Sequence, residues 1–291
     1  MPFDFPTLLN VLISGLMTGL VYGLMALGLS VIFGVARVVN FAHGEMMALA
    51  MYAAALLFSR FRVNPLMAAV PVGAAFFFFG YGLQRLVLRP FVIRPQHSQF
   101  LLLLALAVVI TSILLIVFGP DARVVNLDWL LEPVVISDLL LDQGKLYAAM
   151  VACAAAAVLF AFFRLSYTGT AIRACADNWL GAKIVGLDVG RLYAIAFGIG
   201  ASCVGVAGCM MILLVDVTPG SGPAYTLLAF VIVIVGGLGS MSGALMGGVL
   251  IGISEAFGGL FIAPSAKSMI SFALMIIVLI FRPRGLIADK L

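Results

Sequence analysis

Charged residues are scarce in this 291-residue sequence. Lys, Arg, Asp and Glu make up only 10% of the chain and apolar residues 64%, whereas an average soluble domain is about 25% charged. So little charge excludes an ordinary water-soluble fold, because water cannot be the main solvent of such a chain. The composition therefore predicts a protein whose surface is covered mainly by membrane lipid.

Histidine, cysteine and nucleotide-binding motifs are also few or missing. The two histidines and four cysteines lack the spacing of a metal site. The sequence contains no G-x-x-x-x-G-K-[ST] loop, and its glycine- and serine-rich run 236–243 lacks the lysine that would reach a phosphate, so we interpret this run as a turn. Neither histidine has the surroundings of a Ser/His/Asp triad. We therefore expect no catalytic residue, no metal and no cofactor.

Long apolar stretches replace the missing polar sequence. They are typical of helices that cross a hydrocarbon core about 30 Å thick, and they do not alternate as the strands of a β-barrel do. The predicted spans are 8–34, 43–59, 65–83, 99–118, 146–163, 192–214, 224–238, 244–262 and 268–281. The sequence thus predicts an all-α, polytopic transmembrane bundle of eight or nine spans in one domain, 1–291. No basic segment precedes the first stretch, so we expect a retained helix rather than a signal peptide.

Basic residues are concentrated in three connections. Segments 84–98, 164–191 and 282–290 are basic, whereas the connection 119–145 is acidic. Because basic loops stay in the cytoplasm, we expect the three segments and the C-terminus there and 119–145 outside. These loops also explain the net charge of +4 without a nucleic-acid partner. With nine spans, the pair Arg60 and Arg62 falls outside, against this rule.

Two neighbouring stripes follow the first span at intervals of four residues. The polar stripe is Asn10, Ser14, Thr18 and Tyr22, and the small stripe is Gly15, Gly19 and Gly23. The glycines would let another helix approach closely. The polar groups could either hydrogen-bond across that contact or line a translocation path.

Two further polar features lie at membrane depth. A carboxylate facing lipid would cost about 2.5 kcal/mol or more, and Glu255 shares its face with Gly248, Gly252, Gly258 and Gly259. We expect it to point into the bundle, where a structural hydrogen bond is favoured over a proton relay.

The polar cluster between the first two spans contains Asn40, His43 and Glu45. Glu45 would lie about 140° from Asn40 on a straight helix, so the three side chains cannot converge there on a metal or a substrate. The same geometry disfavours a membrane-embedded enzyme. The cluster is interpreted as tying down a helix entry or lining one end of a path.

The segment of about 166–190 is predicted to contain a short amphipathic helix flanked by glycines. Ala174, Trp179, Ala182 and Val185 would supply apolar contacts, while Arg173, Asp177 and Lys183 stay in water. Such a helix could dock in the groove of a partner or lie on the membrane surface.

Three matches give the sequence a family resemblance along essentially its whole length. They are the run 40–45, the segment 173–187 and the glycine-rich stretch 236–248 followed by Gly252 and Glu255. The sequence resembles the LivH-type permeases of branched-chain amino acid ABC importers. The resemblance implies a non-catalytic subunit in the bacterial inner membrane, paired with a second, related permease. Its other implied partners are two cytoplasmic ATPase subunits, which hydrolyse the ATP, and a periplasmic solute-binding protein.

The resemblance also assigns Arg173, Asp177, Ala182 and Gly186 to coupling with the ATPase. The general importer pattern E-A-A-x-x-x-G falls on 180–186, where only Ala182 and Gly186 match and Leu180 replaces the glutamate. Permeases for urea and short amides share much of this architecture. A third alternative is an ion-coupled secondary transporter that uses Glu255 as its ion or proton site.

Overall fold

The computed structural model describes residues 4–91, 96–127, 130, 132–136, 139–263 and 267–287. Within these ranges the chain forms helices and one short hairpin. The helices are α1 Phe5–Ala36, α2 His43–Phe61, α3 Pro65–Gly82, α4 Gln96–Phe118, α5 Gln143–Leu165, α6 Tyr167–Asp177, α7 Trp179–Ile184, α8 Val189–Met211, α9 Gly222–Gly236, α10 Met241–Phe261 and α11 Lys267–Phe281. The hairpin pairs β1 Val134–Ile136 with β2 Leu139–Leu141 in antiparallel fashion. A π-helical turn, Leu83–Leu88, extends α3.

Seven helical segments of the described ranges are long and apolar enough to cross a membrane. Each of the nine predicted stretches coincides with a helix, but the predicted count of eight or nine spans is too high by this measure. Helix α2 is 19 residues long. It is not counted as a membrane span because His43, Glu45 and Arg60 lower its mean hydropathy. Helix α11 has 15 residues, which is about 22 Å at 1.5 Å per residue and shorter than the hydrocarbon core.

Helix α1 lies inside the bundle and packs most extensively against α10. Going along α1, Gly15 faces Ala256, Gly19 faces Val249, and Gly23 faces Leu245, so the two helices run antiparallel. A Cβ atom on Gly19 would lie 2.7 Å from the Val249 Cα, well inside the 3.5–4.0 Å of an ordinary carbon contact. The predicted close approach at the glycine stripe is confirmed.

The glycine- and serine-rich run forms the turn between α9 and α10, as predicted. Gly239 has a φ of +83°, a conformation that glycine adopts without the cost of a Cβ clash. Ser240 then caps α10, since its Oγ accepts a hydrogen bond from the Gly243 backbone N–H at 3.0 Å.

The segment 166–190 contains two short helices rather than the one predicted. Helix α6 ends before Asn178, whose extended backbone breaks the helix at φ −148° and ψ 93°. The Asn178 Oδ1 then accepts from the Gly181 N–H at 2.8 Å and caps α7. A side-chain cap of this kind satisfies an N–H that has no partner within the new helix.

The elements define two opposite ends of the molecule. At one end, the Leu140 N–H of β2 donates to Asn10 near the start of α1. At the other end, Arg37 after α1 lines a cavity with Asp177 of α6 and Arg284 of the tail. The predicted cytoplasmic segments thus meet at one end and the predicted outer connection lies at the other. Residues 92–95, 128–129, 131, 137–138 and 288–291 of these segments lie outside the described ranges.

Candidate functional site

A polar cavity of about 400 Å³ opens beside α1 at the end that holds the hairpin. All four residues of the predicted polar stripe line it, and so does Glu255. The charged and polar lining residues are Asn10, Ser14, Thr18, Tyr22, Asp142, Lys145, Glu255 and Lys267. The stripes on α1 therefore have separate uses: the glycines pack against α10, and the polar groups face the cavity.

Charges of both signs come from elements that sequence reasoning did not connect with α1. The Lys145 Nζ donates a 2.7 Å hydrogen bond to the Ser14 Oγ. The backbone at Lys145 is fixed by the cap of α5, because its N–H donates to the Asp142 Oδ1 at 3.1 Å. Lys267 reaches the cavity from the start of α11. No local pattern signals these approaches, since they join segments that are far apart in the chain.

Glu255 is buried, with 8% of its surface exposed. Its Oε1 accepts a 2.5 Å hydrogen bond from the Ser271 Oγ of α11, and the Tyr22 hydroxyl also interacts with the carboxylate. Glu255 thus points into the bundle and accepts a hydrogen bond there, as expected, and its structural role in preference to a proton relay stays a prediction. Thr18, by contrast, turns its hydroxyl back to the Ser14 carbonyl at 3.1 Å, as hydroxyl side chains within helices often do.

Asn40, His43 and Glu45 are buried at the start of α2, but each has a different partner. The Asn40 Oδ1 accepts from the Ala42 N–H at 3.1 Å. The His43 Nε2 lies 3.0 Å from the Met25 carbonyl oxygen, to which it donates in its Nε2-protonated form. The Asn40 contact fixes the turn before α2, and the His43 contact ties the beginning of α2 to the middle of α1, in keeping with the helix-entry interpretation.

The Glu45 contact depends on Thr226 of α9, which sequence reasoning missed. The Thr226 Oγ1 donates to the Glu45 Oε2 at 3.1 Å. The same hydroxyl accepts from the Gly44 N–H at 2.8 Å. Gly222 adds close packing, because a Cβ there would meet the Glu45 side chain. One hydroxyl therefore satisfies two buried groups of α2 and joins that helix to α9.

Helix α7 and the residue that follows it carry an exposed apolar surface at the opposite end of the molecule. We call it the docking surface: Trp179 at 57%, Leu180 at 53%, Ile184 at 78% and Val185 at 75% exposed. Ala182 is only 5% exposed and so packs inward, against the prediction that it supplies an outward apolar contact. Gly186 follows with a φ of +86° and open space around it.

The two other predicted coupling residues, Arg173 and Asp177, lie on the preceding helix α6. Asp177 is exposed, whereas Arg173 is half-buried rather than fully in water. The Arg173 guanidinium donates to the Thr170 Oγ1 at 3.4 Å. Cys175, between them, is buried, and burial raises the pKa of its thiol, which suits an inert packing residue.

Long apolar helices with a polar cavity at one end of the bundle are features of an integral membrane permease. The family described as "Branched-chain amino acid transport system / permease component" matches residues 11–279. The chain belongs to this family, and it is a permease component rather than a complete transport system.

Curated relatives match along almost the whole chain. The permease BraD of Pseudomonas aeruginosa is 28% identical over 96% of this chain and 95% of its own length. LivH of Escherichia coli K12 is 28% identical over 98% of this chain and 96% of its own length. A probable LivH of Methanocaldococcus jannaschii is 28% identical over 90% of this chain and 87% of its own length. Each of these proteins is named as a branched-chain amino acid transport permease, the first two as high-affinity.

A solved structure supports the fold. PsaBC from Streptococcus pneumoniae, in complex with Fab, matches with a TM-score of 0.51 at 13% identity. The match covers 94% of this chain and 93% of that one. At this identity the likeness concerns the fold alone.

Proposed function

We propose that this chain is the membrane-spanning subunit of an ATP-driven importer that carries branched-chain amino acids across the bacterial inner membrane. One observation carries the proposal: a cavity with charges of both signs lies at one end of the bundle, and an exposed apolar docking surface lies at the other. An importer needs both, since its solute enters on one side and its energy arrives on the other. The names of the relatives supply the solute class.

The cavity is proposed as the outer part of the translocation path. An amino acid carries a carboxylate and an ammonium group, and Lys145 and Glu255 provide one group of the opposite charge for each. Asn10, Ser14 and Tyr22 add neutral hydrogen-bonding groups along the same wall. Asn40, His43 and Glu45 do not line this cavity, and we assign them to holding α2 against α1 and α9 rather than to contact with the solute.

The docking surface is proposed as the contact with an ATPase subunit. Four apolar side chains, each more than half exposed, favour burial in a partner's groove over contact with water. Arg173, Asp177 and Gly186 would complete the contact at its polar edge and at the following turn. Ala182 would act indirectly, by packing α7 against the rest of the chain.

The proposed assembly has five subunits in four roles: this chain, a second related permease, two cytoplasmic ATPases and a periplasmic solute-binding protein. The ATPases are separate chains because this sequence has no nucleotide-binding loop. The docking surface and the C-terminus would face the cytoplasm, in agreement with the basic segments beside them. Membrane lipid would surround the spans of this single permease domain.

An Ile184→Glu variant tests the docking surface. Ile184 is 78% exposed, so the substitution should leave the fold intact while placing a charge in the contact, which costs about 1–3 kcal/mol or more if the charge has no partner. We expect the ATPase subunits to be lost from a mild-detergent pull-down. Val135→Glu, at a 63% exposed position of the hairpin, is the matched control and should retain them. Equal recovery with both variants would refute the assignment.

A Gly186→Trp variant tests coupling rather than assembly. A Cβ at Gly186 would meet no atom within 4 Å, but the φ of +86° is strained for tryptophan. We expect the chain to insert and the ATPase to hydrolyse ATP while amino-acid uptake falls. Normal uptake by this variant would contradict a coupling role for the segment.

A further inference from the structure

Three arginines meet in a second cavity, of about 570 Å³, at the end of the molecule that holds the hairpin. Arg60 and Arg62 come from the end of α2, and Arg123 comes from the segment after α4. None of the described residues that line this cavity is acidic. By the positive-inside rule, basic residues should be rare at this end, which lies opposite the docking surface.

The third arginine is held in place by backbone hydrogen bonds. Arg123 forms an antiparallel bridge with Val217, in which its N–H donates at 2.9 Å and its carbonyl accepts at 3.0 Å. Its guanidinium also donates to the Phe118 carbonyl oxygen at 3.2 Å. The ring of Phe118 packs on Tyr52 with 4.6 Å between centroids, so the floor of the cavity is part of the packed bundle.

The first two arginines are brought together by the turn that ends α2. Arg62 has a φ of +56°, which is unusual for a residue other than glycine. Its N–H still donates to the Phe58 carbonyl at 2.9 Å and closes the helix. The turn places Arg60 and Arg62 in the lining of the same cavity, where both side chains are exposed to solvent. Like charges that line one cavity repel each other, and an anion bound among them would offset this repulsion.

The wall below the arginines is apolar and accessible. Leu56 on α2 is 43% exposed and Val117 on α4 is 64% exposed, and both line the cavity. Exposed apolar side chains of this kind are suited to contact with lipid chains. A cationic rim above an apolar wall fits an amphiphile, with its phosphate at the arginines and its acyl chain along α2 and α4. An acidic protein surface would satisfy the charges but leave the apolar wall without a partner.

We propose that this arginine cavity binds the phosphate headgroup of an anionic phospholipid from the outer leaflet. The lipid would neutralise the three arginines and fill the space between α2, α4 and the 119–127 segment. This site is independent of the solute cavity, which is lined by none of these residues.

The test is a lipid titration of the purified chain in detergent, followed by native mass spectrometry. The probes are phosphatidylglycerol, phosphatidylcholine and inorganic phosphate. A basic residue near an anionic surface contributes about a fivefold affinity gain, so the triple variant Arg60→Gln, Arg62→Gln and Arg123→Gln should bind phosphatidylglycerol about 100-fold more weakly. Arg282→Gln with Arg284→Gln, at the opposite end, is the matched control and should bind as the unmodified chain does. If the triple variant fails to fold, Arg60→Gln with Arg62→Gln provides the same comparison.

The expected result is preferential binding of phosphatidylglycerol that depends on these arginines and survives millimolar inorganic phosphate. Equal retention of the two lipids, or unchanged binding by the arginine variants, would overturn the proposal. Displacement of the lipid by inorganic phosphate would instead indicate a site for free anions. Unchanged lipid binding together with lost capture of a solute-binding protein would indicate a protein contact, and would also overturn it.

Discussion

Replacing Gly19 by alanine should force α1 and α10 apart. The new Cβ atom would lie 2.7 Å from the Val249 Cα, 2.8 Å from the Gly248 carbonyl oxygen and 3.0 Å from the Val249 carbonyl oxygen. Ordinary carbon contacts are at about 3.5–4.0 Å, so the helices must separate by several tenths of an ångström or more. These three atoms belong to the backbone, which cannot rotate away, and overpacking of this kind costs about 1–3 kcal/mol.

Alanine also favours a helix over glycine by about 0.5–1 kcal/mol, which opposes the overpacking. Gly82→Ala is therefore the matched control: Gly82 is the last residue of α3, and a Cβ there meets no atom within 4 Å. Both variants gain the helix propensity of alanine, so the difference between their unfolding temperatures reports the packing against α10. The assay is the thermal unfolding midpoint of the purified chain in detergent.

We expect Gly19→Ala to unfold below the unmodified chain and Gly82→Ala to unfold at or above it. The cavity should also change, since Thr18 and Tyr22 flank Gly19 and Glu255 lies on α10. A Gly19→Ala protein that unfolds at the same temperature as Gly82→Ala would refute the close approach of the two helices.

Two further substitutions test the polar contacts. Thr226→Val removes the donor to Glu45 and the acceptor for the Gly44 N–H, so we expect a loss of about 2–4 kcal/mol in unfolding free energy. Thr226→Ser keeps the hydroxyl and should retain most of the stability of the unmodified chain. Equal stability of the two variants would contradict the contact. Lys145→Met removes the cation that donates to Ser14 and should lower amino-acid uptake about tenfold or more, a loss of at least one charge-assisted hydrogen bond. Lys145→Arg should retain part of the uptake. Full uptake by Lys145→Met would show that the cavity is not part of the translocation path.

Features with a local cause were predictable from the sequence. The interval of four residues between glycines on α1 predicts a face of close contact, because residues four apart lie on the same side of a helix. The same interval placed Asn10, Ser14 and Tyr22 together on the wall of the cavity. Glu255 could be oriented inward because a carboxylate facing lipid is costly.

Features that join distant segments were not predictable in this way. Lys145 reaches Ser14 across 131 residues of sequence, and Thr226 reaches Glu45 across 181. Periodicity within one helix carries no information about which other helix it will face. These partners supply charge to the cavity and satisfy a buried carboxylate, so the chemistry of both places depends on tertiary packing.

Two errors have specific physical causes. The span count was too high because α2 begins with polar residues such as His43 and because α11 is short. The inward position of Ala182 was missed because the break at Asn178 changes the direction of α7 relative to a single continuous helix. The prediction of an exposed apolar face on this segment nevertheless held for Trp179 and Val185.

Uptake by reconstituted vesicles tests the central claim most directly, namely that this chain is a permease component that depends on partners for its energy. The chain alone, and the chain with the subunits that co-purify with it, are each placed in liposomes and supplied with labelled leucine and the captured solute-binding protein. We predict accumulation only with the full assembly and with ATP on the side of the docking surface. Accumulation by the chain alone under an ion gradient would contradict the account and favour a secondary transporter that uses Glu255.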